Sequence, residues 1–261
     1  MTSATSPSAA RRSSTPGSSG RASRPLGRLV AQPLRDWLDA LGACVRDGRP
    51  ADFAMIALGF VLSWWIYVPV HELAHAWGCL LAGGEVTRLE IDWIYGAAPL
   101  ARVFPYVSGG SEYAGRLSGF DTRGSDLTYL ITCALPFLLT IVIGVPLLRA
   151  VPRLRGWARG LALGAAVPVA FAPVVSLTGD YYEMGSILVS RTVAALVPGF
   201  PVDRWRSDDL VKLVGALAPD VGVADVAGVG ASLLVGVVLA FATYWAGVLV
   251  SDALGRGHRV R

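Results

Sequence analysis

Four stretches of this chain contain no Asp, Glu, Lys or Arg: Phe53 to Val70 (18 residues), Leu127 to Leu148 (22), Leu161 to Gly179 (19) and Val226 to Ser251 (26). About 20 apolar residues coil into a helix that crosses the roughly 30 Å hydrocarbon core of a bilayer. A backbone in lipid must satisfy its own hydrogen bonds, and these runs are continuous rather than alternating, so they predict helices and not barrel strands. Hydrophobic residues make up 53% of the 261 and charged residues 16%; the mean hydropathy is +0.52, on the membrane side of globular composition. The expectation is an all-α, polytopic, multi-pass integral membrane protein with about four transmembrane helices embedded in the lipid bilayer.

The rest of the chain divides around these runs. Residues 1 to about 28 are rich in Ser, Pro, Gly, Ala and Arg and have little to bury, which predicts a disordered basic tail. Leu29, Val30, Leu34, Trp37, Leu38 and Leu41, set among Arg35, Asp36 and Asp39, have the spacing of an amphipathic surface helix before Gly48-Arg49-Pro50. The expected organisation is a tail and surface helix over 1–50, a three-span core over 51–190, an extramembrane loop over 191–225, and a fourth span with a basic tail over 226–261. Cys44, Cys79 and Cys133 form no CxxC and imply no disulfide framework. The net charge of +4 comes from arginines gathered in the tails and one short loop, which argues against a nucleic-acid partner.

Short cytoplasmic loops collect Lys and Arg. Arg11, Arg12, Arg21, Arg24, Arg28 and Arg35 precede the first run; Arg149, Arg153, Arg155 and Arg159 separate the second from the third; Arg256, Arg259 and Arg261 follow the fourth. With four spans all three groups fall on one side, so both termini are expected in the cytoplasm. In the first opposite-side loop, Arg88 to Trp93 alternates polar and apolar residues with period 2, which predicts a strand after the Gly83-Gly84 turn, with Ala97 to Val107 as its partner in a small hairpin-like element.

The first run ends in Val70-His71-Glu72-Leu73-Ala74-His75. Residues four apart share a helix face, so His71 and His75 can aim two imidazoles at one Zn2+ while Glu72 reaches a water bound to it as general base. Ionisable residues within a span are costly and therefore functional by default, and Ala76, Trp77, Gly78, Cys79, Leu80 and Leu81 continue the apolar helix past the motif. A catalytic zinc takes three protein ligands. The third run ends in Gly179-Asp180-Tyr181-Tyr182-Glu183, at the membrane boundary that the four-span topology puts on the side of His71. Asp180 is the preferred third ligand and Glu183 the alternative. Cys79, one turn beyond His75, is a further thiolate candidate whose ordinary role beside Gly78 is close helix packing.

At these residues the chain resembles the site-2 protease family of intramembrane zinc metalloproteases, the M50 peptidases. The shared element is Val70-His71-Glu72-Leu73-Ala74-His75-Ala76 followed by Gly83-Gly84 and a strand-like stretch, with the similarity covering residues 53 to about 190. The family carries Leu-Asp-Gly on its third core span, where this chain reads Leu177-Thr178-Gly179-Asp180. Family members hold their site nearer the cytosol, whereas the arginine bias puts His71 toward the opposite face. The resemblance implies an intramembrane zinc-dependent endopeptidase that hydrolyses a peptide bond in or near a transmembrane segment of a protein substrate. The competing class is a non-proteolytic zinc-binding membrane protein that binds partners. The bias to Arg, Ala, Gly and Val, with Lys212 as the single lysine, points to a GC-rich bacterial genome and so to a bacterial cytoplasmic membrane.

Overall fold

The computed structural model describes residues 25–46, 50–207, 210–217 and 221–257. The expected disordered tail up to residue 24 and the basic end from residue 258 lie outside the described residues. The described chain is mostly helical, with one three-stranded sheet. From Pro25 the chain is already helical, in α1 (Pro25–Val45).

Helix α2 (Pro50–Leu81) runs 32 residues, about 48 Å at 1.5 Å per residue. It takes in the first uncharged run and the whole histidine motif. The second run lies in a composite helix, Asp126–Arg153, built from α4 (Asp126–Ala134), a 3-10 turn (Leu135–Phe137), a π turn (Thr140–Gly144), α5 (Val145–Ala150) and a 3-10 turn (Val151–Arg153). The third run is split at Phe171 into α6 (Trp157–Ala170) and α7 (Ala172–Val175), the two parts meeting at 40°. Helices α8 (Asp180–Leu196), α9 (Leu210–Leu217) and α10 (Val223–Gly257) follow. Among the described residues three helices are long and apolar enough to cross a membrane, and the bent pair makes a fourth if it counts as one span. The stretch expected as a loop over 191–225 contains the end of α8 and all of α9.

Prolines account for the irregular helices, because each removes the N–H that would bond the carbonyl four residues earlier. Pro173 leaves the Val169 carbonyl without its helical donor, and the Thr140 hydroxyl donates to it at 2.7 Å. Pro136 does the same to Thr132, with a consequence for the site described below. Glycines set the closest helix contacts. A Cβ on Gly160 would lie 2.7 Å from the Asp52 carbonyl oxygen, and one on Gly59 or Gly164 would overlap backbone across the α2–α6 contact. Gly236 similarly admits the Tyr181 carbonyl where α8 meets α10, a Cβ there coming within 2.6 Å.

Helix α1 packs Ala40, Ala43 and Cys44 inward together with one acid, Asp36. Asp36 is buried and accepts from the Tyr244 hydroxyl of α10 at 2.9 Å, while Leu29, Val30, Leu34 and Leu38 face outward.

The sheet follows α2. Strand β1 (Glu85–Ile91) is central, pairing parallel with β2 (Val107–Gly109) and antiparallel with β3 (Gly115–Asp121). The strand expected after Gly83-Gly84 is present, with Leu89 and Ile91 buried. Its antiparallel partner is β3, and not Ala97 to Val107: Ala97–Val103 forms helix α3 and only Val107 begins a strand. The Trp65 indole donates to the Ile94 carbonyl at 2.5 Å, and the Trp64 indole to the Tyr95 hydroxyl at 3.1 Å. Trp65 is about 24 Å back along α2 from Leu81 at 1.5 Å per residue, so the sheet folds back beside the middle of the helix. Strand β3 lines a cavity there.

Candidate metal centre

His71 and His75 project from one face of α2, as their spacing requires. Both are buried, each with 8% of its surface exposed, and their Nε2 atoms are 3.1 Å apart. The first residue of α8 completes the group. Asp180 Oδ2 lies 3.7 Å from His71 Nε2 and Oδ1 3.5 Å from His75 Nε2, so one donor atom from each of the three falls within 4.8 Å of the others. Two ligand nitrogens at about 2.05 Å from a tetrahedral zinc stand about 3.3 Å apart, and the ligand set of two imidazoles and one carboxylate is a zinc set. The spacings observed fit it.

The far side of each imidazole is also held. His75 Nδ1 is 2.9 Å from the Thr132 carbonyl oxygen, and His71 Nδ1 is 2.7 Å from the Tyr67 hydroxyl. A carbonyl can only accept, so His75 carries its proton on Nδ1 and presents the Nε2 lone pair to the group it shares with Asp180. Two sequence features bring that carbonyl to the site. Pro136 frees it from the α4 hydrogen-bond ladder, and Gly78 admits α4 to close range: a Cβ there would lie 3.0 Å from Thr132 Cα.

Glu72 lines the same cavity of about 450 Å³ as His71, His75 and Asp180. Across it runs β3, and Gly115 lies directly on the Glu72 side chain, where an added Cβ would overlap Glu72 Cγ. Glu183 also lines this cavity, but its carboxylate is engaged elsewhere, accepting from the Tyr129 hydroxyl and from Cys133 Sγ, the latter at 3.3 Å. Cys133, Asp180 and Glu183 form a second close group that shares Asp180. Cys79 belongs to neither group. It is buried where α2 gives way to β1, 3.5 Å from the Glu85 carbonyl oxygen and against Gly84.

His71, Glu72 and His75, picked out by spacing, and Asp180, picked out by its place at the end of the third uncharged run, line one cavity. Tyr67, Tyr129, Thr132, Cys133 and Gly115 were not singled out for this site. Tyr67 had a local signal, since it is four residues before His71 and shares its helix face. The others reach the site through contacts more than 40 residues away in sequence, and no short-range pattern announces them. No protein-family model, curated protein or solved structure matches this chain.

Proposed function

We propose that this protein is an intramembrane zinc-dependent endopeptidase that hydrolyses a peptide bond in or near a transmembrane segment of a membrane protein. The observation that carries the reading is the meeting of His71, His75 and Asp180 with Glu72 in one cavity, three of the four standing on α2, a helix long and apolar enough to cross a membrane. His71, His75 and Asp180 would hold the ion. A bound Zn2+ polarises a carbonyl oxygen and makes water nucleophilic near neutral pH. Glu72 takes the proton of the attacking water and passes it to the leaving amine. Thr132 and Tyr67 fix the orientation of the two imidazoles throughout. The composition supports a bacterial cytoplasmic membrane as the location.

A transmembrane substrate hides its peptide carbonyls in helical hydrogen bonds and must unwind before it can be cut. The central β1 is covered on both edges, so pairing with the unwound segment falls to β3, whose Gly115, Leu117 and Phe120 border the cavity.

The test compares wild type and Glu72→Gln, purified in detergent and added back to membranes of the host, with new protein N-termini read by mass spectrometry. One zinc in each protein, and fragments made by wild type alone, is the expected result. Zinc in both with no wild-type fragments replaces the protease with a non-proteolytic zinc protein. No zinc in wild type removes the metal centre altogether.

A further inference from the structure

Two cavities reach Glu72, and they differ in chemistry. The larger one opens between β3, α4 and α8 and has a polar wall. The smaller one, about 140 Å³, lies between α2 and the bent α6–α7 pair, and its wall is apolar: Trp64, Tyr67, Ala114, Pro168, Ala172 and Val175. His71, Glu72 and Ser176 line both. The chain entering β3 separates them, with Tyr113 and Gly115 on the polar cavity and Ala114 on the apolar one. That division follows the alternation of an extended backbone, which sends successive side chains to opposite faces.

The small cavity sits at the 40° bend at Phe171, with Pro168 of α6 on one side of the bend and Ala172 and Val175 of α7 on the other. The Thr140 hydroxyl on the Val169 carbonyl supports the bend from the other side.

We infer that this recess is a specificity subsite that receives one apolar side chain of the peptide, next to the bond that is hydrolysed. The inference rests on the proposed endopeptidase activity. An apolar cavity of about 150 Å³ holds a benzene ring, so 140 Å³ accepts a leucine, methionine or phenylalanine side chain and excludes an indole. The floor of the recess is His71 and Glu72, so the residue seated there is adjacent to the reacting carbonyl. The substrate class is a membrane segment with a medium-sized apolar residue at the cut, its chain continuing on one side into the polar cavity.

The test uses the zinc-loaded full chain in detergent and two dipeptide hydroxamates, identical except for a leucine or a glycine side chain beside the chelating group. Isothermal titration gives the ratio of their dissociation constants. Burial of the leucine side chain predicts that the leucine compound binds roughly tenfold or more tighter to wild type. Ala114→Leu fills the recess and brings the ratio near one, with one zinc still bound. Val175→Ala removes apolar wall from the recess and lowers the ratio, with one zinc still bound. Equal binding of the two compounds by wild type overturns the subsite, as does an unchanged ratio in Ala114→Leu. If the zinc-loaded protein binds neither compound, the endopeptidase reading falls and takes the subsite with it.

Discussion

His75 Nδ1 donates to the Thr132 carbonyl oxygen, 2.9 Å away, and that oxygen is available because the residue four positions on is Pro136. A break in one helix thus orients a proposed metal ligand on another. Pro136→Ala restores a backbone N–H that competes for the same oxygen, leaving His75 with a weaker partner. The expected outcome is a zinc affinity reduced about tenfold, read by competition with a chelator of known strength.

Tyr67 holds His71 in the equivalent way, through a hydroxyl 2.7 Å from Nδ1. Tyr67→Phe keeps the ring that packs against His71, at a centroid separation of 5.1 Å, and removes only the polar contact. Zinc affinity should fall roughly 10-fold or more, and the thermal unfolding midpoint of the zinc-free protein should drop as well, because the buried His71 Nδ1 loses its partner at a cost of about 1–3 kcal/mol.

Gly115 is the contact between β3 and the proposed base. A valine there would place methyl groups where Glu72 Cγ now sits, forcing the carboxylate away from the cavity. Gly115→Val should bind one zinc like wild type and lose at least a hundredfold in cleavage rate, the scale on which a general base contributes. Loss of zinc along with activity would show that Gly115 supports the metal centre rather than Glu72.

What the sequence made legible was what is local. Uncharged runs mark the long helices because lipid-length helices need them, and the i, i+4 histidines share a face on any helix. The strand after Gly83-Gly84 was visible in the alternation that buries Leu89 and Ile91. Its partner was not, because β3 is Gly115-Arg116-Leu117-Ser118-Gly119-Phe120-Asp121, where two glycines and a serine dilute the strand signal. The turn structure misled further: Ala97 to Val103 is helical and carries the chain back so that β2 lies parallel to β1. Helix α8 carries no span signal in the sequence, because Asp180, Tyr181, Tyr182, Glu183, Ser186 and Arg191 interrupt its hydrophobicity, and its end falls in the stretch expected as a loop from residue 191. In the fold Tyr181, Tyr182, Glu183 and Ser186 are buried against neighbouring elements, and burial by tertiary contact leaves no short-range periodic trace.

Asp180 and Glu183 stood as alternatives for the third ligand, and the geometry separates their roles. Asp180 presents its two oxygens to the two imidazoles, at 3.7 and 3.5 Å. Glu183, one helical turn later, has both oxygens occupied, by the Tyr129 hydroxyl and by Cys133 Sγ. Recruiting it would mean giving up both contacts within a buried cluster, where an abandoned polar group costs about 1–3 kcal/mol. Asp180→Ala should therefore lose stoichiometric zinc, leaving two imidazoles that bind only weakly. Glu183→Gln keeps an acceptor for Tyr129 and should retain one zinc per chain. Metal analysis of the two variants after the same dialysis decides the matter: zinc lost from Glu183→Gln and kept in Asp180→Ala would exchange the two assignments and make Glu183 the third ligand.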